Sequence, residues 1–182
     1  MKRDPLTDAT ELIRRVYSYA AYRIGAGADA EDVTSEVMLR AVRYRASYDA
    51  SKGTPLTWLL GIARTCVNDH LASRPLVLDD RPESAAPGQF ETETIDRMAV
   101  GEAVARLDER DRDLIALRYG ADLSTRQIAE ILGLSRNAID VALHRTRGRL
   151  SVELHREGYD RGRGSAPPLY HAAEPGLGCP AS

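Results

Sequence analysis

Arg136, Asn137, Asp140, Val141 and His144 lie within nine residues of one another and are candidates for reading the edges of DNA bases. Arginine pairs with guanine, asparagine with adenine, aspartate accepts from cytosine N4, and valine touches a thymine methyl. Arg145, Arg147 and Arg149 follow with charges suited to phosphates, which position a protein without specifying sequence. Covalent chemistry has no comparable support. The chain shows no nucleophile–base pair, phosphate-cradling loop or metal-ligand spacing, so we expect no enzyme activity, cofactor, metal or small-molecule substrate. His70, His144, His155 and His171 show no ligand spacing to one another or to cysteine.

These residues need a rigid mount, and residues 124–150 read as a helix-turn-helix. Ser124 is placed to cap a first helix and Gln127, three residues on, to complete a capping box. Ile128, Ala129 and Leu132 give that helix an apolar face, Gly133 ends it, and Leu134 is expected to return to the core. Ser135 then caps a second helix from Arg136, with Ile139, Ala142, Leu143 and Leu150 as its buried side. In such a motif the second helix enters the major groove with its first turns nearest the bases. Thr125 and Gln127, at the start of the first helix, complete the candidate surface. A plain helical hairpin shares the apolar pattern. It does not require the small Ala129 at the crossing, the glycine turn and Ile139 six residues later.

Upstream, Leu12, Ile13, Val16, Tyr17, Ala20 and Ile24 mark an amphipathic helix ending at Gly25–Gly27. Asp29 is expected to cap a second helix whose inner side is Val33, Val37, Met38, Ala41 and Val42. After a loop over 47–53, Thr54-Pro55 starts a third helix, with Leu56, Leu59, Leu60, Ala63, Val67 and Leu71 inward. Thr57, Gly61, Arg64, Thr65 and Asn68 are expected opposite them. Residues 75–94 read as a flexible acidic linker, rich in proline and lacking a helical period. Ile95, Met98, Ala99, Ala103 and Val104 begin a second helical block, with Leu114, Ile115 and Leu117 on its next helix. The expected class is all-α: a domain over 11–74, the linker over 75–94, a helix-turn-helix domain over 95–155, and a disordered tail over 156–182.

A net charge of −2 and a pI near 6.1 leave little surplus charge for a protein that grips DNA alone. A subunit of a larger DNA-binding machine fits that balance better. Cys66 sits on the flank of an apolar face as a small hydrophobe, and Cys179 falls in the tail as a free thiol. No apolar run is long enough to cross a membrane, and MKRDPLTDAT lacks the apolar stretch of a signal peptide. A cytoplasmic protein without membrane insertion is expected.

Taken together, these segments resemble the bacterial RNA polymerase sigma factors of the extracytoplasmic-function (ECF) type. DAEDVTSEVMLRA (29–41) resembles the segment that binds the clamp helices of the polymerase largest subunit. TWLLGIARTCVNDHLASR (57–74) resembles the one that melts and reads the minus-ten element. LDERDRDLIALRYGADLSTRQIAEILGLS resembles the scaffold of the minus-thirty-five reader. The resemblance implies core RNA polymerase and promoter DNA as partners, together with an anti-sigma factor. It places polymerase binding on Asp29, Glu31, Asp32, Glu36 and Arg40. It places minus-ten contacts on Tyr44, Tyr48, Trp58, Arg64, Thr65, Asn68 and Asp69, and minus-thirty-five contacts on the recognition helix. Where many members carry Thr-Val-x-Ser-Arg, this chain has Ala138-Ile139-Asp140-Val141-Ala142, which removes one arginine contact and adds a carboxylate.

The physical demands agree with that assignment. Capturing unstacked bases needs a polar helix face beside aromatic or cationic groups. Arg64, Thr65 and Asn68 supply the polar groups, with Tyr44, Tyr48 and Trp58 preceding them. Trp58 also suits a core anchor, and Arg64 and Asn68 an ordinary solvated face. The acids of 29–36 suit a helix start as well as a basic partner, Asp29 serving mainly as the cap. The alternative is a free-standing dimeric helix-turn-helix regulator on a palindromic site. It leaves 29–41 and 57–74 without a role.

Overall fold

A computed structural model of the 182-residue chain describes residues 4–73 and 100–156. The expected linker, the residues opening the second block (95–99) and the tail beyond 156, with His171 and Cys179, lie outside the described residues. Among those described, the secondary structure is entirely helical.

Helix α1 spans Ala9–Ile24, α2 Ala28–Tyr44 and α3 Pro55–Ser73, with a single 3-10 turn Arg45–Ser47 after α2. Their facing sides bury Val16, Tyr19, Ala20, Val37, Leu59, Leu60, Ala63 and Val67 completely. Thr54 starts α3 as expected, its Oγ1 accepting from the Thr57 backbone N–H at 3.2 Å.

Four residues depart from their expected burial, three of them on helices and Leu134 in the turn of the helix-turn-helix. Ile13 and Val42 are 42% and 57% exposed, although both lie at apolar spacing. Thr57 is buried, and Leu134 is 41% exposed rather than returning to the core. Periodicity defines a stripe, and the packing partner then chooses which edge of the stripe is covered. Asp29 is not the cap either. Helix α2 begins one residue before it, with Gly27 at the N-cap.

The second block starts with helix α4 over 100–105, followed by α5 Glu109–Ile115, which continues as one π turn over Ala116–Gly120. Asp108 caps α5, its carboxylate accepting from the Asp111 backbone N–H. Helices α6 Thr125–Leu132 and α7 Arg136–Arg156 complete the block. Val100, Ala103, Val104, Leu107, Ile115 and Leu150 form a small core of their own.

The larger core runs continuously through both blocks, joining α1–α3 to Leu114, Leu117, Leu123, Ile128 and Ile139. The π turn lies directly on α1, and α6 lies on α3. The helix-turn-helix is thereby mounted on the first helical block.

Candidate nucleic-acid interface

The recognition helix is fixed by caps that the sequence states outright. Ser124 Oγ accepts from the Gln127 N–H at 3.3 Å, while Gln127 Oε1 accepts from the Ser124 N–H at 3.0 Å. Gly133 adopts φ +65 at the turn, a left-handed conformation that costs glycine little. Ser135 Oγ accepts from the Ala138 N–H at 3.2 Å and so starts α7. Ile128, Ala129, Ile139 and Leu143 are buried between the two helices and set their crossing.

This mount leaves Arg136, Asn137, Asp140, Val141, His144, Arg145 and Arg147 all exposed along α7. Arg136 Nε stands 4.0 Å from Asp140 Oδ2, one helical turn away, so the two form a loose solvent-facing pair. Thr125 and Gln127 are half-buried, and the Gln127 side chain is occupied by the cap. Arg149, expected on phosphates, is also engaged within the chain. It pairs with Asp111 and, at 3.3 Å, with Asp108. Asp111 is buried and also accepts from the Thr146 hydroxyl at 2.8 Å, which ties α5 to α7. Thr146 was not singled out from sequence. A buried polar residue at an inward position was the only local signal.

On the first block, Asp29, Glu31, Asp32 and Glu36 are exposed along α2. Arg40 bonds Glu36 at 2.6 Å and reaches across to Asp69 on α3 at 3.2 Å. His70 Nε2 lies 3.6 Å from Asp29. Leu39, 66% exposed, extends the surface of Asp32 and Glu36 with apolar area that sequence reading did not assign. Burial pushes the Cys66 thiol above its ordinary value, as befits a small core residue.

Among the aromatics, Tyr44 is exposed, while Tyr48 and Trp58 are half-buried and packed ring to ring, centroids 5.6 Å apart. The Tyr48 hydroxyl donates to the Gly53 carbonyl at 3.1 Å. On α3, Thr65, Asn68 and Asp69 are exposed and Arg64 is half-buried. The polar ends of Arg64 and Asn68 are engaged within the chain. Arg64 Nε donates to Asp113 at 3.0 Å, and Asn68 Oδ1 accepts from Arg23 at 3.1 Å. These groups line a cleft of about 420 Å³ between the blocks, with Glu109 and Arg110 on its far wall. Among the described residues no histidine, cysteine and carboxylate cluster could hold a metal, and no helix is long and apolar enough to cross a membrane.

Comparison with known proteins adds to this geometry. Residues 9–75 match the family model Sigma-70 region 2, and residues 97–150 match Sigma-70, region 4. The ECF RNA polymerase sigma factor SigD of Mycobacterium bovis is 32% identical over 170 residues, covering 84% of this chain and 78% of its own. The ECF RNA polymerase sigma factor BldN of Streptomyces coelicolor is 32% identical over 138 residues, and this chain spans only 52% of its length. The sigma factor RpoE of Bartonella quintana, solved with the anti-sigma factor NepR, shares the fold with a TM-score of 0.69 at 19% identity. That match covers 81% of this chain and 94% of the solved one.

Proposed function

The chain belongs to the ECF RNA polymerase sigma factors, and on that premise we propose that it binds core RNA polymerase and directs promoter-specific initiation. The observation that carries this is the order of parts. A region 2 block with an exposed acidic face on α2 precedes a region 4 block whose recognition helix keeps one polar face exposed while the other packs into the core. A free-standing dimeric regulator would need no region 2.

In this reading α2 meets the polymerase through Asp32 and Glu36, which lie one turn apart, with Asp29, Glu31 and Arg40 around them. The exposed Leu39 adds apolar area to the same patch. Tyr44, Tyr48, Trp58, Arg64, Thr65, Asn68 and Asp69 form the minus-ten surface, where flipped bases stack and are bonded. Arg136, Asn137, Asp140, Val141 and His144 read the minus-thirty-five element, flanked by Thr125 and Gln127. Arg145 and Arg147 hold phosphates. The polymerase performs the chemistry and supplies the charge that a chain of net −2 lacks, so the protein works in the cytoplasm beside it. An anti-sigma factor is the expected regulator, as in the solved RpoE complex.

The test is size-exclusion co-elution of the full chain with bacterial core polymerase. We expect stoichiometric co-elution, lost when Asp32 and Glu36 are both changed to Arg. A wild-type chain that runs as a dimer and ignores polymerase would overturn the functional reading. Co-elution that survives the double change would overturn the interface.

A further inference from the structure

Asp140 carries the wrong charge for a face that is to meet phosphates. Its side chain is 54% exposed in the second turn of α7, among the exposed Arg136, His144, Arg145 and Arg147. A carboxylate there opposes the phosphate backbone and lowers affinity for every sequence alike. The helix itself gains little from it. The helix dipole favours acids in the first turn, and Asp140 lies beyond that turn. An arginine four residues before an acid is the weaker order for a helical pair, and exposed pairs contribute little to stability. Packing does not call for it either, since Ile139 and Leu143 carry the buried side.

The contact that Asp140 does make is with Arg136. Asp140 Oδ2 stands 4.0 Å from Arg136 Nε, too far for a hydrogen bond, so both polar heads stay available. Neither side chain has another partner among the described residues. Other charged groups of the motif are taken up: Arg126 bonds Glu130 at 3.2 Å, and Arg149 is held by Asp108 and Asp111. Arg136 and Asp140 thus present one donor and one acceptor side by side, at the helix end nearest the bases.

The major-groove edge of a C·G pair has the complementary arrangement. Cytosine N4 donates, while guanine O6 and N7 accept. Turned round to G·C, or replaced by T·A, the pair sets an acceptor against the carboxylate and an amino donor against the guanidinium. An A·T pair keeps the right order but fits less well. It places adenine N7 beside the carboxylate and offers Arg136 only the single acceptor of thymine O4.

We propose that Arg136 and Asp140 act as one donor–acceptor couple that reads a single C·G pair of the minus-thirty-five element in a fixed orientation. Arg136 supplies the attraction, through guanine O6 and N7. Asp140 works mainly by exclusion. It gives up affinity on all DNA and regains it only where an amino group faces it, which is specificity built on a repulsive contact. The inference rests on the assignment of α7 to that element, and it adds which base pair is read and how.

The experiment selects duplexes from a randomised library with core polymerase and the full chain, as wild type and as Asp140→Ala, Asp140→Asn and Arg136→Ala. These positions are exposed, and circular dichroism checks that helix content is unchanged. We expect the duplexes chosen by the wild type to share one C·G pair in the upstream element. Changing that pair to A·T should weaken binding several-fold, and changing it to G·C or T·A by about tenfold or more. Asp140→Ala should bind the G·C and T·A duplexes more tightly than the wild type does. Asp140→Asn should move the preference to A·T, because asparagine pairs with adenine N6 and N7. The losses from Arg136→Ala and Asp140→Ala on the C·G duplex should not add in the double variant, as for any two groups acting together. A selected sequence unchanged by Asp140→Ala, or a wild type indifferent to the orientation of the pair, would overturn the couple and leave the sigma reading standing. A wild type that selects no duplex with polymerase would overturn both.

Discussion

Buried carboxylates are kept in proteins only when donors surround them, because an isolated charge costs several kcal/mol to desolvate. Asp111 meets that condition through the Thr146 hydroxyl and the Arg149 guanidinium. Arg149, itself exposed like Arg145 and Arg147, therefore also braces the frame of the helix-turn-helix. Replacing Thr146 by Val keeps the volume and removes the hydroxyl, leaving a buried acceptor one donor short. The cost should be about 1–3 kcal/mol, read as a lowered midpoint in urea unfolding. A midpoint equal to that of the wild type would show that water satisfies Asp111 instead. The role of Thr146 was invisible in the sequence because its partner lies 35 residues upstream. Helical spacing tells which side a residue faces but not which acid waits there.

At the level of elements, the most legible parts were those whose signals are local. Ser124, Gln127, Gly133 and Ser135 specify the helix-turn-helix within a dozen residues, and every one of them occupies its expected position. The reading was weaker where an element's neighbours decide. Val42 and Ile13 carry apolar side chains at helical spacing yet lie outside the covered stripe. Tyr19, fully buried at the joint between the two blocks, was not assigned to the core at all. The site followed the same division, since the exposed face of α7 was readable and the engagement of Arg64 by Asp113 was not. Because the α6 cap is reciprocal, Ser124→Ala should remove both of the side-chain bonds that Ser124 makes. An N-cap loss of this kind costs about 1 kcal/mol, visible as a melting temperature lowered by several degrees. DNA binding should weaken only in proportion to the lost folded fraction. A binding loss at temperatures where the variant is fully folded would mean that Ser124 itself touches DNA.

Across the whole molecule, the two blocks are held in one arrangement by a core that crosses the joint and by the polar cluster on Asp113. Tyr19 reports on that arrangement from its centre. Burial first, and then the adjacent Asp113 carboxylate, push its phenol well above the ordinary value of about 10. A raised pKa favours the neutral form in the folded chain. The stabilisation is therefore fully present below pH about 10 and is lost as the pH rises through that value towards the folded-state pKa. Phenolate absorbance of the wild type should accordingly contain a late-titrating component from Tyr19. Tyr19→Phe should delete that component. A Cβ at Gly120 would stand 2.9 Å from the Ser18 carbonyl oxygen. Gly120→Val, which keeps Tyr19 but wedges the joint apart, should move the same component down towards pH 10. A late component that survives Gly120→Val would place the protection of Tyr19 within the first block, and the joint would then not be what shields it.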